Sequence, residues 1–247
     1  MTDQELRELE RRFRETGTAA DEANWIRGRL RVGELQRDRV RLASYLGHEA
    51  AGRLLDEKET APSVAGDSYD AETCYFPLLA VWTRGLCRFG REPAVRAGLA
   101  ASTATLPVFE GAYPGCQEPR AALELVEEWV LDQTPDRAER AVRAGLDSEE
   151  PVCMVEPHWG PPRDEELVGF GPAYCALTLA DAETLLGHGS GQLSDFASAA
   201  VVSLNGAAHV TSSAEVLQIV ATELVPWALG YRDAVAERVG ARRASST

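Results

Sequence analysis

The chain has 247 residues, of which 45% are hydrophobic and 26% charged, and a formal net charge of −14. That is enough apolar mass for one substantial core or two modest ones. The acid excess argues against nucleic acid as a partner, because phosphate contacts call for a net basic surface. No run approaches the ~18 to 20 uninterrupted apolar residues of a membrane helix, and the opening Thr2-Asp3-Gln4-Glu5-Leu6-Arg7 is the opposite of a basic-then-apolar signal peptide. A cytoplasmic protein with no membrane partner is expected.

Leu6, Leu9 and Phe13 mark a first amphipathic helix ending at Gly17, and Thr18 with Asp21 has the spacing of a capping box for the next. The second helix carries Trp25, Ile26 and Leu30 and stops at Gly33. A third runs from about Arg37 through Leu42 and Leu46, Gly47 breaks it, and residues 48 to 55 form a short fourth. Residues 1 to 56 thus read as an N-terminal helical module. It holds eleven arginines and eleven acids, so the remaining 14 basic and 28 acidic side chains, and the whole −14, fall on residues 57 to 247. Arg27, Arg29, Arg31, Arg37, Arg39 and Arg41 cluster in the module. A solvated surface, or one that docks on the acidic remainder of the chain, is the plainer reading, since arginines spaced by two do not stay on one helix face; the alternative is a contact for an acidic protein or for RNA.

Residues 57 to 70, with Pro62, Ser63, Gly66 and Ser68, read as a linker. From 71 to 240 the pattern is helical almost throughout, with no long alternating strand. Tyr75, Phe76, Leu79, Trp82, Leu86 and Phe89 keep a helical period in which Pro77 suits only the first turn, and a further helix leads from Pro93 to Leu106. Tyr113-Pro114-Gly115 then stops that helix, and Pro119 opens another whose inward face is Ala122, Leu125, Val126, Trp129 and Val130. Another helix starts at Pro135. Residues 148 to 172 contain five prolines and are expected to form a long irregular loop. Helices resume over 173 to 186, break at Gly187-His188-Gly189-Ser190-Gly191, and continue from Leu193 to about Val210. The last helix opens with the capping pair Ser212 and Glu215 and runs through Trp227, Tyr231 and Val235, kinked at Pro226. Residues 241 to 247 read as a flexible tail. The expected fold is all-α: a helical bundle with a small N-terminal helical module.

The segment around the Tyr113-Pro114 turn, set in an acidic helical chain, resembles the all-helical immunity proteins of bacterial polymorphic toxin systems. The residues that carry the resemblance are Leu106, Pro107, Phe109, Glu110, Tyr113, Pro114, Pro119, Arg120 and Trp129, with an echo in the helix holding Pro226 and Trp227. It covers about thirty residues closely and, by helix order alone, roughly residues 73 to 238. It implies a non-catalytic protein-binding protein that neutralises a cognate toxin, and the acidic residues bordering the 148–172 stretch suit a basic partner. A second reading is a regulatory adaptor or substrate in a bacterial signalling or defence pathway, with the neutral module recruiting one partner and the acidic bundle another.

Little in the sequence points to catalysis. Five cysteines at positions 74, 87, 116, 153 and 175 have no paired spacing, so reduced and mostly buried thiols are expected rather than a disulfide frame or a zinc clip. The Gly187 to Gly191 stretch lacks the lysine of a phosphate loop and the strand of a dinucleotide fold. Cys153, Glu156 and His158 lie within six residues, but neighbours on an irregular loop seldom assemble a nucleophile, its base and an orienting group. No cofactor or metal is indicated. For binding, Trp159 is the candidate anchor, with Glu156 and Glu165 part of an acidic border around it. Arg120, a cation in the first turn of a helix, opposes the dipole there. It is expected to pair with Glu110 and fix the angle between two helices, with a ligand-binding role as the alternative.

Overall fold

The computed structural model describes the chain except residues 56–59, 71–74, 155–162, 181–183, 185–194 and 246–247, and except the side chains of 149–154 and 165. The described residues form twelve helices and no strand, an all-α fold. In chain order these are α1 (Asp3–Thr16), α2 (Ala19–Val32), α3 (Arg37–Tyr45), α4 (Glu49–Gly52), α5 (Pro77–Cys87) and α6 (Arg91–Ala112). They continue with α7 (Glu118–Leu131), α8 (Pro135–Met154), α9 (Asp164–Leu177), α10 (Phe196–Ala208), α11 (Ser213–Ala228) and α12 (Ala234–Ser245). None of the described helices is long and apolar enough to cross a membrane.

The chain divides into two compact units, and the division is not a simple cut. One comprises Met1–Ala61 with Ala221–Asp233, the other Pro62–Val220 with Ala234–Thr247. The boundary at residue 220 falls inside α11, so the second half of that helix belongs with the N-terminal module.

In the smaller unit, short helices are ended by left-handed glycines. At Gly33 (φ 79°) the amide of Glu34 reaches back to the Arg29 carbonyl, closing the helix as a Schellman turn does. Ile26, Val40, Leu42 and Tyr45 are buried, as are Leu224, Trp227 and Leu229 of the returning segment, which belongs to the same unit. The continuous last helix expected through Tyr231 and Val235 is corrected here. Gly230 adopts φ 66°, its amide donates to the Trp227 carbonyl, and the Tyr231 amide donates to the Pro226 carbonyl at 2.8 Å. These are the two bonds of a Schellman motif, and they end α11 at Ala228.

The larger unit is built on α9, which packs against α6, α7, α8 and α10. Several of these contacts are made at glycine. A Cβ on Gly206 of α10 would lie 2.8 Å from the Leu167 carbonyl of α9, and one on Gly145 of α8 would lie 2.8 Å from Ala176 Cβ. Val95, Leu99, Phe109, Val126, Val168, Ala176 and Val235 are buried in the same core. Three expectations are corrected. The irregular stretch over 148–172 is replaced by α8 running to Met154 and α9 starting at Asp164, with Pro172 inside α9. Burial of Val168, Ala173, Cys175 and Leu177 outweighs the one hydrogen bond that proline removes. Of the expected linker, residues 62–70 pack into this unit. Val64 is buried, and the Asp67 carboxylate accepts from the amides of Leu78 (3.0 Å) and Leu79 (2.8 Å) and from the Ser213 hydroxyl (2.8 Å). The expected flexible tail is helical to Ser245, tied down by Arg242 as described below.

Candidate functional site

Of the residues singled out in the sequence, Glu156 and Trp159 lie outside the described residues, as do His158, the loop 187–191 and the side chains of Cys153 and Glu165. The others fall in two places.

Phe109, Glu110, Tyr113, Pro114, Pro119 and Arg120 flank the α6–α7 turn, and Pro107 lies inside the last turns of α6. The missing N–H of Pro119 falls in the first turn of α7, where it costs nothing. Arg120 Nε and Nη2 donate to the two Glu110 carboxylate oxygens at 2.5 and 2.6 Å, the expected two-pronged pair. That hydrogen bond, ahead of the opposing effect of burial, raises the guanidinium pKa. Below it Phe109 is fully buried and lies 5.1 Å from the Tyr113 ring, whose hydroxyl donates to Glu166 at 3.1 Å. Trp129 is buried on the inner face of α7. Also on α7, the buried Glu127 carboxylate accepts from Arg238 (2.7 Å) and Arg242 (2.8 Å) of α12.

The larger unit carries a surplus of negative charge. Its residues include 12 arginines and 24 acids, a balance of −12, while the smaller unit has 13 basic residues and 15 acids, a balance of −2. Seven of the twelve arginines, at 96, 120, 137, 140, 163, 238 and 242, are already in ion pairs with acids of the same unit. Asp132, Asp136 and Glu139 are exposed where α7 gives way to α8, beside the exposed Leu131.

Trp227 belongs to the smaller unit, which also holds a groove that sequence reasoning did not identify. Its floor is an aromatic stack: Phe13 of α1, Trp25 of α2 and Tyr231, with ring centroids 5.5 and 5.3 Å apart. The Arg29 guanidinium lies over Trp25 at 5.1 Å, donates to the Leu229 carbonyl and pairs with Glu34 at 3.7 Å. Tyr231 donates to Glu22 at 2.8 Å, and Glu22 is 3.3 Å from His48 Nε2. Burial first, and then that hydrogen bond, push the Tyr231 phenol pKa far above its ordinary range. One wall of the groove is a stripe of α1 containing Asp3, Arg7, Glu10 and Arg14, and the trough encloses about 610 Å³. Such an arrangement can bury apolar side chains and match charges along its rim. Trp25 and Tyr231 are more than two hundred residues apart and Tyr231 lies beyond the end of α11, so helical periodicity held no sign of their meeting.

Among the described residues no group of three or more His, Cys, Asp or Glu could hold a metal ion. Cys87 and Cys116 have thiol pKa values pushed up to about 12 and about 11, chiefly by burial, and burial raises Cys175 further. These three thiols are held protonated and are poor nucleophiles at neutral pH. No family model, curated protein or solved structure matches the chain.

Proposed function

We propose that the chain is a non-catalytic protein-binding protein of the immunity type, which neutralises a cognate basic toxin through the acidic surface of its larger unit. The observation that supports this reading is the −12 balance of that unit, with seven of its arginines engaged internally. Acidic side chains in excess steer a basic partner and exclude acidic ones. Co-expression with the products of neighbouring genes tests it. The expected result is an equimolar complex with one basic protein and rescue of cells from that protein's toxicity. Reversing the exposed acids Asp136 and Glu139 to arginine should slow association about tenfold at low salt, with a smaller effect at high salt. Rescue without a complex, or a complex whose rate ignores these reversals and salt, would overturn the reading.

The adaptor reading rests on the unequal charge of the two units. It expects two different partners, one lost on reversing acids of the larger unit and the other unaffected by that change.

A further inference from the structure

We infer that the α1 groove of the smaller unit is an interface for a second copy of this chain, with the two α1 helices antiparallel across a two-fold axis. The inference goes beyond the toxin-binding proposal and does not depend on it. α1 has no buried residue, although Leu6, Leu9 and Phe13 give it a clear apolar face. Leu6 and Phe13 are half-buried and line the open trough. A helix covered by only one neighbour leaves apolar area that a further helix can bury.

The charge order names that helix. Asp3, Arg7, Glu10 and Arg14 follow one another along the groove wall at intervals of four, three and four, which keeps them on one face. The sequence of signs is minus, plus, minus, plus, and read backwards it is opposite at every point. An antiparallel copy centred between Glu8 and Leu9 therefore sets Asp3 against the second copy's Arg14 and Arg7 against its Glu10, and the converse by symmetry. Self-complementarity of this kind is what a two-fold interface demands, because one patch must recognise itself. Antiparallel helices also oppose their dipoles favourably.

The groups are available for this exchange. Asp3 and Arg7 form no ion pair in the described chain, and Arg14 pairs with Glu10 of its own helix at 2.6 Å while 75% exposed. A pair that open is worth little and is readily traded for one between chains. The opposite wall is close to neutral, since Arg29 is balanced by Glu34, and so does not disfavour a copy of α1. One helical stripe of about 20 Å is a small interface, so dissociation on the order of 10 to 100 micromolar is expected.

Sedimentation equilibrium of the full chain, spanning that range and well above it, tests the inference. The wild-type chain should form a dimer and nothing larger. Arg7→Glu and Glu10→Arg should each weaken it at least about tenfold, since symmetry places two like-charge contacts in every dimer. The double variant R7E/E10R restores opposite signs and should regain most of the affinity. An equimolar mixture of the two single variants should pair with each other, because one then supplies two acids and the other two arginines. Both positions lie on the surface of α1, and circular dichroism checks that helix content is kept. A wild-type chain that stays monomeric throughout, a dimer indifferent to both reversals, or single variants that neither the mixture nor the double change repairs would each overturn it.

Discussion

The two units are made of different materials. The larger one draws its helices together over glycine, alanine and serine, so that backbone meets backbone across α6, α8, α9 and α10. In the smaller one, large flat groups are stacked: Phe13 on Trp25 on Tyr231, Arg29 over Trp25, and Arg39 over Trp227 at 4.7 Å. The difference teaches that the two should fail in opposite ways. Close-packed small residues leave no room for added atoms, whereas a stack of large groups is most damaged by removal.

The largest expected effect is therefore a deletion in the smaller unit. Trp227 is only 7% exposed, and Trp227→Ala should cost about 3 to 5 kcal/mol in urea unfolding, with Arg39 losing its platform. Next comes an addition in the larger unit. Gly206→Ala sets a methyl group 2.8 Å from a backbone carbonyl and should cost about 1 to 3 kcal/mol, because α9 and α10 must separate. If an enlargement in the smaller unit proved worse than the tryptophan deletion, the contrast of materials would fail.

The smallest effect sharpens the comparison inside the larger unit, which has an aromatic cluster of its own. His209 meets Tyr69 and Phe76 edge-on at 4.7 and 5.3 Å and lies 3.5 Å from Asp164. Burial lowers its pKa, partly opposed by Asp164. Below the ordinary histidine value of about 6.5 the unfolded chain then binds more protons than the folded one, so stability is full above that value and declines as pH falls beneath it. Urea midpoints at about pH 7.5 and about pH 5.5 should show the decline in the wild type and less of it in His209→Gln. An equal decline in both would remove His209 as its source.

Local signals carried much of the fold. Gly17 and Gly33 end their helices, Thr18 and Ser212 cap theirs with Asp21 and Glu215, and Pro77, Pro119 and Pro135 stand in first turns. The Glu110 and Arg120 pair was legible for the same reason, since both flank one turn. Choices made by tertiary packing were not legible. Pro172 reads as a helix breaker until the burial around it is known, and an apolar stripe such as Leu224, Trp227 and Ala228 does not say which core it will enter. Of the candidate site, the acidic surplus was visible by counting, while the groove depends on Tyr231 reaching Trp25 and Glu22, which no spacing records.

That reach has a consequence for how the protein is made. Residues 1–61 leave the ribosome before the segment 221–233 that belongs to the same unit, and at about 5 to 20 residues per second the wait for it is on the order of ten seconds. During that interval Trp25 lacks one of its two stacking partners and Arg29 lacks the Leu229 carbonyl. A message cut short anywhere before residue 221 would leave the unit of residues 1–61 unfinished, with Trp25 open on the side that Tyr231 covers. The state of α1 and α2 thus reports whether residues 221–233 have been synthesised.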